Sequence, residues 1–300
     1  MSINIDSKEY KIVETKLGTL GNMLKLEKDN KYYVLKKISI ADLTNEEIEL
    51  NKEKYKILSK INNEYIVKYY HYYIENDYLN ILMEYVGYSN LKNFIKNHKE
   101  QEELIEENII ENIIRQICIG LKDIHKNEII HRDLTPDNIF INEYNEIKIG
   151  DFGISKRLET LKMSAHTQIG KLHYIAPEMQ LGQSYNNKVD IYALGCIIYE
   201  LFTLNEYYLD KYIAEKDCKI NNEIYNNKWQ KLIDSLLEKD YKKRPNIKEI
   251  YDYIKNEIML SYKFKINVYD IYKKPYLQDE TIYEHIKNKI VLIHKFNNNV

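Results

Sequence analysis

Apolar and polar positions alternate along the first part of the chain, and the period then changes. Alternation over 10–14, 23–27, 32–38, 67–74 and 79–84 predicts strands, and the longer stretch 44–60 between the third and fourth predicts a helix. A small sheet with one packed helix follows. After Leu82-Met83-Glu84-Tyr85-Val86-Gly87 the composition turns helical: Ile109, Ile110, Ile113, Ile114, Ile117, Leu121 and Ile124 recur at the spacing of one buried helix face. Near the end, Ile282, Ile286, Ile290 and Ile293 form one stripe over 280–296. That amphipathic helix needs a surface to cover it, whether the chain's own body, a second copy or a regulator.

Candidate chemistry sits where the long helix delivers the chain. His131-Arg132-Asp133-Leu134-Thr135-Pro136-Asp137-Asn138 is followed, one short hairpin later, by Asp151-Phe152-Gly153. Asp133, Asn138 and Asp151 would then stand side by side on two loops. A base aimed at a hydroxyl, with carboxylate and amide oxygens to hold Mg²⁺ against phosphates, is what phosphoryl transfer needs.

The order and spacing of these residues resemble the catalytic and metal loops of the eukaryotic-type protein kinases, and Ala176-Pro177-Glu178 matches the end of that family's activation segment. The stretches around Tyr33-Val34-Leu35-Lys36-Lys37-Ile38 and Ile147 to Lys156 are most similar to the NIMA-related serine/threonine kinases. The stretch Tyr185 to Gly195 is closer to the kinases of translation initiation factor 2. The resemblance implies an α+β, bilobal protein-kinase fold. Its expected parts are an N-lobe over 9–84, with a small antiparallel sheet and one helix, a hinge and mainly helical C-lobe over 85–256, and a C-terminal extension over 257–300.

It also implies roles. ATP would be held by Gly18, Gly21, Met23, Val34, Lys36, Met83, Glu84, Val86, Phe140 and Asp151, with Lys36 on the α- and β-phosphates and the backbone of Glu84 and Val86 on adenine. Asp133 would accept the substrate hydroxyl proton, Asn138 and Asp151 would hold Mg²⁺, and Thr167 would be the activating phosphosite, with Ser164 as second choice. Arg132 would pair with that phosphate. Asp190 would brace the catalytic loop, and Glu178 with Arg244 would form a buried ion pair. His131 and Phe152 read as packing residues.

Several positions depart from the family pattern. The Gly-rich turn keeps two of three glycines, with Lys16 at the first position. A gapless count places Lys54 where the family carries the glutamate that orients Lys36, with Glu53 one residue before it. Because one residue turns a helix by roughly 100°, Glu53 is expected to take the role only through a turn of the helix or a slip of the alignment. Thr135 and Lys171 look exchanged relative to the lysine and threonine of serine/threonine kinases, and their side chains are expected to meet beside Asp133. The reading is an ATP- and Mg²⁺-dependent protein serine/threonine kinase with a protein substrate, phosphorylated by an upstream kinase or by itself. A pseudokinase-type binding or scaffold protein is the alternative.

Bulk properties narrow partners and setting. The 300 residues are 44% apolar, enough for a two-lobed core, and the 44 basic and 46 acidic residues are interleaved, which gives no footprint for nucleic acid or an anionic membrane. Cys118, Cys196 and Cys218 show no metal-ligand spacing and read as ordinary thiols of a reducing compartment. Residues 1–6 lack the form of a signal peptide, and the apolar run 191–199 is too short to span a bilayer, so a cytoplasmic or nuclear setting is expected. Sequence does not fix the oligomeric state.

Overall fold

The computed structural model describes residues 2–17, 22–87, 89–152, 173–205, 219–221 and 223–258. The chain divides into two units, 1–254 and 255–300. Nearly all of the second, including the expected amphipathic helix over 280–296, lies outside the described residues.

The first unit opens with a six-stranded antiparallel sheet made of β1 (Ser2–Ile5), β2 (Lys8–Leu17), β3 (Met23–Lys28), β4 (Lys31–Ser39), β5 (Tyr69–Glu75) and β6 (Tyr78–Glu84), in the order β1-β2-β3-β4-β6-β5. Three of its connections are the two-residue loops Asp6-Ser7, Asp29-Asn30 and Asn76-Asp77, in which both residues have positive φ between 49° and 59°. Such loops match the right-handed twist of the flanking strands, and Asn and Asp tolerate the left-handed conformation better than most side chains. One face of the sheet closes on a cluster of Ile5, Tyr10, Leu26, Leu35 and Leu82. Burying each such aliphatic side chain stabilises by about 1.5–3 kcal/mol.

Sequence alternation begins its first strand at Tyr10 and misses β1. This strand pairs Ile3 with Tyr10 and Ile5 with Lys8, and it adds Ile5 to the cluster.

Between β4 and β5 runs α1 (Asn45–Leu58), inside the predicted 44–60. Thr44 starts it through a capping box: its Oγ1 accepts from the Glu47 backbone N–H at 3.3 Å, and Glu47 Oε2 accepts from the Thr44 N–H at 2.8 Å. Glu47, Asn51, Lys54, Tyr55 and Leu58 form its buried face.

The C-terminal part is mainly helical, with α2 (Leu91–Glu100), α3 (Glu107–Lys126), α4 (Pro177–Gln180), α5 (Lys188–Thr203), α6 (Asn227–Leu236) and α7 (Ile247–Tyr253). The predicted stripe of α3 is buried at Ile110, Ile113, Ile114, Ile117, Leu121 and Ile124, while Ile109 is half-buried. Helix α5 is buried nearly all round, as expected of a central helix, and a Cβ on its Gly195 would meet Leu236 Cβ at 2.9 Å. A three-stranded sheet of β7 (Ser89–Asn90), β8 (Ile139–Ile141) and β9 (Ile147–Ile149) carries the two loops of interest. This is the bilobal α+β arrangement expected from the sequence. Among the described residues no helix is long and apolar enough to cross a membrane.

Candidate active site

The catalytic loop leaves α3 and is held from below by α5. Asp190, in the first turn of α5, accepts from the backbone N–H of His131 at 2.9 Å and of Arg132 at 3.0 Å, and it pairs with His125 Nε2 at 2.8 Å. Burial alone would raise the Asp190 carboxyl. The hydrogen bond and charge of His125, with His131 beside them, outweigh it and hold the group below its ordinary value. The bracing role expected for Asp190 is therefore visible as two backbone bonds. They secure a costly conformation, because Arg132 has φ of 69°, in the left-handed region that large side chains avoid.

His131 is fully buried and does more than fill space. Its Nε2 bonds the Gly150 carbonyl at 2.9 Å, its Nδ1 accepts from the Asp133 N–H at 3.3 Å, and its ring lies 4.5 Å from that of Phe152. Burial pushes its pKa down, against the pull of Asp190 and Asp133, which suits a neutral ring that donates at one nitrogen and accepts at the other. His131 thus ties the catalytic loop to the metal loop.

The two loops meet as the sequence suggested. Asn138 Nδ2 donates to the Asp133 carbonyl at 2.6 Å and to Asp133 Oδ2 at 2.9 Å, and the Gly150 N–H donates to the Asn138 carbonyl at 2.9 Å. Gly150 leaves no room for a side chain: a Cβ there would meet Phe140 Cε2 and Val67 Cγ2, each at 2.9 Å. The next residue, Asp151, turns with φ of 56° and forms an ion pair with Lys36 of β4. Lys36 and Asp151 are 115 positions apart, and their pairing joins the sheet to the metal loop.

The nucleotide side is partly described. Met23 and Lys36 are partners across β3 and β4, as are Val34 and Met83 across β4 and β6, and Val34 and Met83 are buried. The Glu84 N–H is taken by the Lys68 carbonyl at 2.8 Å, and its carboxylate pairs with Lys148 at 3.1 Å, so its carbonyl is the backbone group left to face a ligand. Val86 is half-buried and Phe140 lies over Gly150. Gly18, Gly21, Gly153, Ser164, Thr167 and Lys171 lie outside the described residues.

Helix α1 corrects one expectation. Glu53 is exposed, and the structure does not bring it to Lys36; Lys54 is the residue turned inward, only 7% exposed. The gapless count was the right one, because the helix buries positions 47, 51, 54, 55 and 58 with regular spacing and a step of one residue leaves that face. Burial, then Arg132 and Lys36, push the Lys54 pKa down to about 7, with Asp151 pulling the other way.

Thr135 is 2% exposed, and its Oγ1 has no partner among the described residues. It borders a cavity of about 20 Å³, the size of one water, between the catalytic loop, Tyr174 and α5. Arg132 Nε is likewise buried and unpartnered among the described residues, and the Arg132 guanidinium lies 5.6 Å from the centre of the Tyr185 ring. Glu178 and Arg244 form the expected buried pair, bidentate at 2.7 and 2.9 Å.

Three contacts were not anticipated from sequence. Tyr55 donates its hydroxyl to the Phe152 carbonyl at 3.2 Å, the Tyr69 ring meets the Phe152 ring edge-on at 5.8 Å, and Tyr185 covers Arg132. Tyr55 could have been found from its place on the apolar face of α1. Tyr69 and Tyr185 carry no local signal, since each depends on a residue far along the chain.

A two-lobed fold with an ion pair bridging sheet and metal loop, and a catalytic loop braced by the central helix, is that of a protein kinase. The family profile described as "Protein kinase domain" matches residues 15–253, and the chain belongs to this family. The similarity to NIMA-related kinases read from the motifs is borne out by its relatives. A probable serine/threonine-protein kinase nek2 of Dictyostelium discoideum is 32% identical over 85% of this chain and 65% of its own length. The serine/threonine-protein kinase Nek1 of Mus musculus is 35% identical over 62% of this chain and 16% of its own, and Nek5 of Homo sapiens is 36% identical over 62% and 27%. The matches thus span less than two thirds of the length of these relatives.

Proposed function

We propose that the chain is an ATP- and Mg²⁺-dependent protein kinase that transfers the γ-phosphoryl group to serine or threonine hydroxyls of protein substrates. The observation that carries this reading is the assembly of Lys36, Asp133, Asn138 and Asp151, with Asn138 bonded to Asp133 and Lys36 paired to Asp151. The Nek relatives, named as serine/threonine kinases, support the choice of hydroxyl.

The donor set fits Mg²⁺. Asn138 turns its NH₂ to Asp133, which leaves its amide oxygen, and Asp151 offers a carboxylate; both are hard oxygen ligands of the kind this ion takes alongside phosphates and water. When bound, the ion supplies charge neutralisation for the phosphate oxygens.

The chain's own residues do the rest. Lys36 binds phosphate oxygens. Asp133, aimed by the two Asn138 bonds, accepts the proton of the substrate hydroxyl as its oxygen forms the bond to the γ-phosphorus and the bond to the β-phosphate oxygen breaks, releasing ADP. Arg132, with its buried Nε unpartnered among the described residues, receives a phosphate on Thr167 and orders the activation segment. Thr135 supplies the hydroxyl, and Lys171 the positive charge, of an exchanged pair beside Asp133; the Thr135 Oγ1, unpartnered among the described residues, supports this. A binding-only role is not favoured by any of these features.

Incubation with Mg²⁺, labelled ATP and a panel of protein substrates, followed by phosphosite mapping, tests the reading. Label on serine or threonine is expected. Label on tyrosine alone would overturn the choice of hydroxyl.

A further inference from the structure

Helix α1 presents to the site a charge opposite in sign to the one the family resemblance expects. Lys54 lies on its buried face, 7% exposed, directly before Tyr55. The Tyr55 hydroxyl, bonded to the Phe152 carbonyl at 3.2 Å, fixes this turn of the helix against the metal loop. Opposite it, Lys36 is paired with Asp151. The charges that act on the Lys54 ammonium are Arg132 and Lys36, which repel it, and Asp151, which attracts it.

The other buried acid of α1, Glu47, is engaged at the helix start by the Thr44 backbone and hydroxyl at 2.8 and 3.0 Å. Three cationic side chains therefore converge around one carboxylate in a region largely closed to water. Like charges brought together with little solvent between them are costly, and a multivalent anion relieves that cost. The nucleotide triphosphate of the preceding reading is such an anion, and Lys36 already marks where it would lie.

We propose that Lys54 is a second phosphate-binding lysine of the nucleotide site, working beside Lys36, so that α1 contributes a cation where the family resemblance assigns a carboxylate. The inference rests on the ATP reading above. In the absence of nucleotide, Asp151 takes over the orientation of Lys36. With a triphosphate present, both ammonium groups turn to its oxygens, and Asp151 is released to serve as a metal ligand. A purely packing role for Lys54 is the competing account, with its stem buried and its ammonium 5.0 Å from the centre of the Tyr55 ring.

Calorimetric titration of the full chain with Mg²⁺-ATP and, separately, with adenosine decides between them. Lys54→Met keeps the apolar stem and removes the charge. It is expected to weaken ATP binding by about tenfold or more, as for a lost charge-assisted hydrogen bond, and to leave adenosine binding unchanged. Lys54→Arg should retain ATP binding, and Lys54→Gln serves as a second neutral variant should the Met form fold poorly. The proposal is overturned if the neutral variants bind ATP as the wild type does, if ATP and adenosine weaken together, or if Lys54→Glu binds ATP more tightly. Wild-type protein that binds adenosine and ATP equally well would also overturn it. Wild-type protein that binds neither would remove the nucleotide reading itself.

Discussion

Asn138 holds Asp133 with both hydrogens of one amide group, at 2.6 Å to the backbone carbonyl and 2.9 Å to the carboxylate. The base is thereby aimed by the residue whose oxygen is assigned to the metal. The two roles can be separated. Asn138→Asp keeps an oxygen ligand but replaces the donor with a negative charge, so kcat should fall and the acid limb of its pH profile should move upward as Asp133 becomes harder to ionise. Asn138→Ala removes both roles and should also raise the Mg²⁺ concentration for half-maximal activity by at least about tenfold. Steady-state kinetics against pH and Mg²⁺ check both.

Glu178 and Arg244 are both buried, and their bidentate pair ties α4 to the segment before α7. Glu178→Ala leaves the Arg244 guanidinium buried without its carboxylate, and is expected to cost about 3–5 kcal/mol in urea unfolding. Replacing both partners with apolar residues should cost less than the sum of the single changes, because the second substitution removes the uncompensated charge.

His131 gives the pH dependence a definite sign. Its folded-state pKa is pushed below the ordinary 6.5, so in the window between the two values the unfolded chain binds a proton that the folded chain does not. Its contribution is fully present above the unfolded value and is lost as the pH falls through the folded one. Asp190, also held below its ordinary value, adds a further loss at lower pH. Denaturation midpoints should therefore drop as the pH falls below about 6.5, and His131→Phe should flatten the first part of that slope. A profile unchanged by the substitution would contradict the assignment.

The exchanged pair is tested by kinetics. Thr135→Lys and Lys171→Thr should each lower kcat, and the double exchange should recover activity above the poorer single variant. A double variant no better than that single one would mean two independent departures from the family pattern.

Much of this was legible in the sequence because the relevant signals are local. The stripe of α3, the capped start of α1 and the catalytic and metal loops are each set by neighbouring residues, and each lies where the sequence puts it. β1 was missed because a four-residue strand becomes a strand only by pairing with β2. The preference for Glu53 over Lys54 followed charge complementarity to Lys36, whereas the fold followed helical period and turned the lysine inward. The contact of Tyr185 with Arg132 joins residues far apart in sequence through the loop before α5, and only the folded chain reveals it.

The central claim is that Asp133 acts as the base of a phosphoryl transfer. Single-turnover transfer from labelled ATP, measured for wild type and Asp133→Ala at saturating Mg²⁺-ATP, tests it most directly. The account predicts that the variant binds ATP as the wild type does and transfers phosphate about 10²–10⁴-fold more slowly. Equal transfer rates in the two proteins would contradict it.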